Sequence, residues 1–349
     1  MQNLSLAVKK GTRSVSTRQM GNPFEFLEHV YLPHNMPVHE EIPVDSLSII
    51  SGDNKLKKVI LTVKGRKWTL DCLDEKDFKM DYPCTKSYEC FIGDYFVTFC
   101  QKTDANMVSY WNDNRIGLTE MAKILVGTYG ITKIKEVRIQ GTYNNEPFLN
   151  WISHEFKGEI RKIIVNTTFA PTFLEHCKKT PYLAFYSDPF KHSATRRIHF
   201  EVDDLLIWNA KCSPASSTQL HALSQQAYAV TLQECNTMPD PVNEFLKGWM
   251  SGGEMKMRKM YIKEKNLSRE DVMSGIEFTV LGKGVNRKLK IHNEFTCPVT
   301  GGWSIRRADG RTATICESHI PEASAEDETP EFKRTILEFY FWPDQQSAY

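Results

Sequence analysis

Paired cysteines are missing from this chain. Nine cysteines are present, yet no two stand as C-x-x-C, the spacing that nucleates zinc sites and redox disulfides. Their odd number and irregular scatter from Cys72 to Cys316 point to reduced thiols in a cytoplasmic or nuclear setting. Excess charge of one sign is missing as well: 44 Lys and Arg stand against 43 Asp and Glu, a formal +1. Nucleic-acid binding and electrostatic attachment to an anionic membrane both leave a basic surplus, so composition argues against each. No apolar run approaches the length that spans a bilayer. Residues 1–20 carry Lys9, Lys10, Arg13 and Arg18 but no long apolar core, unlike a secretory leader. The Asn-x-Ser/Thr matches at Asn3, Asn166 and Asn266 are accordingly expected to carry no sugar.

Catalytic signatures are equally scarce. Gly282-Lys283-Gly284 is too short to cradle phosphates, and no G-x-x-x-x-G-K-[ST] loop, G-x-S-x-G elbow or H-E-x-x-H pair occurs. On a strand the neighbours Asp203 and Asp204 point to opposite faces, which makes a poor acid–base dyad. His176 and His221 fall on expected helices and read as surface or half-buried residues. His29, His34 and His39 are irregularly spaced along a Pro-containing connector, whereas a metal site needs ligands on rigid elements. Sequence thus names no catalytic residue, no metal ligand and no cofactor.

What is present is a globular chain. Hydrophobic residues make up 41% and charged residues 25% of 349 positions, enough for a substantial core in one large domain or two. Residues 45–115 read as β-rich, with strands over 47–50, 59–63, 67–71 and 95–100 and a hairpin at Lys64-Gly65-Arg66. From Thr119 to residue 281 the rhythm changes. An apolar-x-x-apolar-x-apolar pattern recurs as Ile134/Val137/Ile139, Ile160/Ile163/Val165, Val202/Leu205/Ile207, Ala227/Val230/Leu232 and Met257/Met260/Ile262. Adjacent copies start roughly 25–30 residues apart, near a leucine-rich-repeat period. One longer interval reads as an inserted loop over 181–197.

Helix signals lie between the copies. Asn145-Glu146-Pro147 precedes Phe148, Leu149, Ile152 and Phe156; Asp240-Pro241 opens a run stopped at Gly252-Gly253; Ser268 and Asp271 form a plausible capping box. Helices alternating with strands predict parallel pairing. The expected fold is α/β: a leucine-rich-repeat-like curved array of helix–strand units, with β-hairpins at its N-terminal and C-terminal ends. An open doubly wound sheet is the runner-up. In such an array alternate strand residues face away from the core, and Arg138, Ile164, Leu206, Trp208 and Tyr261 fall at those positions. Apolar residues there read either as a partner-binding patch with an aromatic anchor or as a second face covered by other elements.

The C-terminal part carries the most specific wording. Gly301-Gly302-Trp303-Ser304-Ile305-Arg306-Arg307-Ala308-Asp309-Gly310-Arg311-Thr312-Ala313-Thr314-Ile315 reads as a hairpin turning at Ala308-Asp309-Gly310. An acidic, Pro-flanked loop between Glu317 and Glu331 then leads to a last strand, Leu337 to Trp342. This stretch resembles the closing hairpin of the F-box-associated domain, type 2, of nematode F-box proteins. Trp249-Met250-Ser251-Gly252-Gly253 through Met257–Ile262 is similar to a second run of that family. The resemblance covers about 300 residues and implies an F-box-associated domain over 45–349, with 45–115 β-rich, 119–281 the α/β repeats and 299–342 the closing hairpin and strand. Residues 1–20 resemble the last helix of an F-box, with Leu4, Leu6 and Val8 as an adaptor-binding remnant, and 21–44 is the connector. The earlier F-box helices are not in the sequence, which is the chief departure from the family. Family membership implies a substrate-recruiting subunit of a Skp-cullin-F-box ubiquitin ligase, with a Skp-type adaptor, a cullin and a target protein as partners. The alternative is a stand-alone binding module outside any ligase.

Overall fold

A computed structural model describes residues 44–52, 57–63, 65–79, 86–92, 94–103, 106–141, 145–167, 180–186, 201–208, 216–265, 267–292, 295–321 and 333–343. The chain forms two compact units, Met1–Arg161 and Lys162–Tyr349. The F-box-like helix with Leu4, Leu6 and Val8, nearly all of the connector, His176, the acidic residues of 322–331 and most of the 181–197 segment lie outside the described residues.

The first unit holds β1 (Val44–Ser51), β2 (Lys57–Val63), β3 (Arg66–Asp74), β4 (Lys86–Ile92), β5 (Tyr95–Thr103) and β6 (Asn106–Trp111). After them come α1 (Asn114–Thr128), β7 (Lys133–Ile134), β8 (Glu136–Gly141), α2 (Glu146–Asn150), a π-helical turn (Trp151–Glu155) and β9 (Glu159–Ile160). Its main strands lie in the order β8-β1-β2-β3-β6-β5-β4, and β7 pairs with β9 apart from them. β1–β2, β2–β3, β4–β5 and β5–β6 are antiparallel, whereas β1–β8 and β3–β6 are parallel. Leu47, Ile49, Val59 and Leu61 are buried at alternate positions, the period-2 signature of a one-sided strand. α1 starts where the Asp113 carboxylate accepts the Arg115 N–H at 2.9 Å, an N-cap bond that satisfies one orphan donor. Its Gly117 sits so close to the fully buried Trp111 that a β-carbon there would lie 2.5 Å from the indole. Asn145 caps α2 and donates its amide to Ser51 Oγ at 2.9 Å, tying that helix to β1.

The second unit begins with β10 (Lys162–Thr167), β11 (Thr180–Phe185), β12 (Val202–Trp208), α3 (Ser217–Gln226), β13 (Ala227–Gln233), α4 (Pro239–Met250) and β14 (Lys259–Glu264). It ends with α5 (Arg269–Val272), β15 (Thr279–Lys290), β16 (Thr296–Arg306), β17 (Thr312–Pro321) and β18 (Lys333–Phe341). β10 to β14 run parallel in chain order, and β18, β17, β16 and β15 then follow as an antiparallel meander. Leu205, Val230, Met260 and Phe339 stand side by side across β12, β13, β14 and β18. Ile207, Leu232, Ile262 and Leu337 form the next such row, and all eight are buried. α3 and α4 cover this face: Phe245 and Trp249 of α4 meet Phe341 edge-on at 6.1 and 5.4 Å between centroids. α3 opens with a full capping box between Ser216 and Gln219.

Every residue of the five recurring apolar triplets is buried. A regular leucine-rich-repeat-like array across 119–281 is nevertheless not shown. The molecule is mixed α/β, its units are mostly strand with few helices, and among the described residues the second unit places a helix between neighbouring parallel strands only in β12–α3–β13–α4–β14. The expected 181–197 insert is corrected at its start, because Thr180–Phe185 is a strand paired on both sides. Thr180 fills the first buried position of the pattern, ahead of Leu183 and Phe185, and a polar β-former next to Pro181 hid the copy.

Candidate functional site

The opposite face of β10–β14 carries the residues singled out from the sequence, and register fixes their neighbours. One row runs Ile164, Ala184, Leu206, Thr231, Tyr261 and Glu338. The row before it runs Lys162, Tyr182, Asp204, Ala229, Lys259 and Tyr340. Trp208, Gln233, Lys263 and Ile336 make a third.

A folded-over hairpin covers part of this face. The first half of β16, Thr296–Thr300, pairs among the described strands with β15 alone, whereas its second half, Trp303–Arg306, pairs with β17 and, through Trp303 and Ser304, with β15 as well. Between them Gly301 and Gly302 take φ of +61° and +101°. Only glycine adopts such angles cheaply, and a β-carbon on Gly302 would lie 2.6 Å from the Ile315 carbonyl oxygen. The strand therefore bends here and carries the distal hairpin back over the sheet. Leu289, Ile291, Cys297 and Val299 pack on Ala229, Tyr340 and Trp342. Arg287 lies 4.4 Å over the Trp342 ring and donates to Thr314 Oγ1. At the hairpin's far end His292 Nε2 comes within 3.5 Å of the Asp204 carboxylate. Burial, opposed by this histidine, pushes Asp204 above the usual carboxylate range.

Beyond the hairpin the face is open. Trp208 is 42% exposed and rests against Tyr186 with ring centroids 5.5 Å apart. Leu206, Thr231, Gln233, Tyr261 and Lys263 are half-buried around it. Burial and the nearby Glu338 raise the Tyr261 hydroxyl pKa, so it stays a neutral donor. Ile164, by contrast, is only 7% exposed; it supports the row from beneath and offers a partner little surface. Arg138 belongs to the first unit, where β8 holds it half-buried and paired with Glu136. The structure thus brings Leu206, Trp208 and Tyr261 onto one face of the second unit, and Arg138 lies in the first unit.

Sequence reasoning missed Tyr186, the partner of Trp208. Its signal was the unrecognised β11: once Leu183 and Phe185 are taken as core-facing, the next residue faces the other way. The remaining chemistry is structural. His221 leans on Phe245 at 4.9 Å, and burial lowers its pKa. Arg306 is exposed, whereas Arg307 is buried, donates to the Gly253 carbonyl at 2.9 Å and pairs with Asp309 at 2.8 Å. Buried Glu264 accepts backbone N–H bonds from Cys235 at 2.6 Å and Thr237 at 3.2 Å. These bonds pin the loop in which Glu234 and Asn236 hold positive φ. Among the described residues no three His, Cys, Asp or Glu side chains are grouped to hold a metal ion. No described helix is long and apolar enough to cross a membrane. Comparison with family models, with curated proteins and with solved structures finds no match to this chain.

Proposed function

We propose that this chain is a protein-recognition subunit that holds a target on the open face of β11–β14 and performs no chemistry on it. The observation that carries this reading is Trp208, a large aromatic standing 42% exposed among half-buried neighbours. An aromatic anchor ringed by polar and amphipathic groups is how binding surfaces concentrate their energy. Tyr186 and Leu206 extend its apolar area, and Thr231, Gln233, Tyr261 and Lys263 supply hydrogen bonds at its rim.

The ligase context comes from the resemblance of Gly301–Ile315 and Leu337–Trp342 to the F-box-associated domain, type 2. On that reading the protein recruits substrates to a Skp-cullin-F-box ubiquitin ligase, in the cytoplasm or nucleus, and ubiquitin transfer occurs elsewhere in the assembly. The F-box, whose last helix residues 1–20 resemble through Leu4, Leu6 and Val8, docks the Skp-type adaptor. The parallel strands β10–β14 are then the equivalent of a leucine-rich-repeat-like scaffold. The second reading is a binding module that works outside a ligase. Co-purification of the full chain with a Skp-type adaptor separates them. A stoichiometric complex supports the ligase subunit, and a folded chain that fails to bind leaves the free-standing module.

A further inference from the structure

β15 is an open edge. It stands last in the strand order and among the described residues pairs with β16 alone. The backbone N–H and C=O groups along its outer side therefore lack a strand to bond with. Its register slips between Leu281, opposite Gly302, and Asn286, opposite Thr300, so a bulge divides the edge.

Two chemistries flank that bulge. Phe278 and Val280 are 48% and 67% exposed, and Val285, on the same strand as Val280, is 37% exposed. Lys283, Lys288 and Lys290 are exposed as well, and no acidic residue occurs from Thr279 to Lys290. Leu289 and Ile291 point into the cluster around Tyr340, so alternation turns Lys288 and Lys290 the other way. Edge lysines deter pairing with a second copy, because like charges on adjacent strands repel. They do not deter a strand of opposite sign. Exposed Phe278 and Val280 also have no place in an edge built only to repel, since such apolar groups invite contact.

We propose that β15 accepts an extended acidic segment of another protein as an added strand. Backbone hydrogen bonds to the outer edge supply affinity. Carboxylates facing Lys283, Lys288 and Lys290, with apolar side chains beside Phe278 and Val280, supply selectivity. This edge is distinct from the Trp208 face and stands independently of it.

The test uses the full chain and three capped octapeptides: alternating Val and Glu, alternating Val and Lys, and the Val–Glu sequence interrupted by two prolines. Binding is read by fluorescence anisotropy in low salt and at about 150 mM salt. The Val–Glu peptide should saturate at least about 10-fold more tightly than either other peptide and weaken with salt. A Lys283→Glu/Lys288→Glu/Lys290→Glu variant should lose that binding, and the corresponding triple Gln variant should weaken it. Circular dichroism of both variants should match the parent. Equal binding of all three peptides, unchanged binding by a folded triple Glu variant, or no saturation at millimolar peptide would overturn the proposal. So would a parent chain that sediments as a dimer the triple Glu variant does not form, since the occupant would then be a second copy.

Discussion

At the scale of single residues, exposure and burial separate binding from folding. Trp208→Ala should cost no more than about 1 kcal/mol of stability, as for a surface truncation, while abolishing target capture. Phe245→Ala, which empties a fully buried site against Phe341, should cost about 3–5 kcal/mol. Urea denaturation of the two variants checks the contrast; a Trp208→Ala loss as large as the Phe245→Ala loss would make the tryptophan core. Glu264 gives a prediction in pH. Burial raises its folded-state pKa above the ordinary 4.5 in spite of the bonds from Cys235 and Thr237. A raised folded pKa means that its contribution to stability is fully present below the unfolded value and is lost as pH climbs through the folded one. Glu264→Gln keeps an oxygen that can accept both N–H bonds but cannot ionise. Relative to that variant the parent should lose stability from pH 4.5 upward, and parallel stability curves would refute the assignment.

At the scale of elements, the period-2 and period-3.6 signals told more than the repeats did. The alternation in Val202–Trp208 and Lys259–Glu264 sorted core from outward residues because a strand's faces follow from the covalent geometry alone. Cap chemistry at Asn145 and Ser268 marked helix starts for the same local reason. What sequence could not deliver was pairing between distant segments. Nothing in Leu281–Lys290 announces that it folds over Ala229 and Tyr340, since that depends on the contacts of Leu289 with residues more than 50 positions away and on which face is left uncovered. Gly301-Gly302 was visible as part of a hairpin, but its role as a bend emerges only when β17 is seen to pair with the second half of β16 and not with the first. Gly302→Ala tests the bend. A positive φ and a 2.6 Å approach to the Ile315 oxygen should together cost more than about 2 kcal/mol, measured by chemical denaturation, whereas alanine at exposed Gly284, with open space around it, should be nearly neutral.

At the scale of the whole molecule, stability rests on apolar burial in two units and on no described disulfide. Cys72, Cys100, Cys235, Cys297 and Cys316 are in no disulfide, and the first four are buried. Burial pushes the Cys72 thiol up to about 12 and the Cys316 thiol up to about 11, so neither offers a thiolate near neutrality. Native protein treated with iodoacetamide at pH 8 should therefore leave both unlabelled, as read by peptide mass mapping, and unfolding in urea should expose both. Rapid native labelling of Cys72 would contradict the packing around Ser109. The near-neutral charge and the protonated thiols of Cys72 and Cys316 are in keeping with the binding role proposed above. The sequence conveyed that much through composition, whereas the aromatic pair Tyr186–Trp208 needed the strand register to be seen.

The diglycine bend makes β16 a member of two hydrogen-bonded neighbourhoods with different fates. Its second half is locked between β15 and β17, above a buried layer that includes Ile305 and Ile315; its first half is held by β15 and by side-chain packing. A pivot at Gly301 could lift the flap without disturbing the anchor, and such partial openings set the pace at which amides trade hydrogen for deuterium. The amides of Cys297 and Val299 should thus exchange faster than those of residues 303–305 within one continuous strand. Lifting that flap would bare Ala229 and Tyr340 and lengthen the uncovered stretch that begins at Trp208.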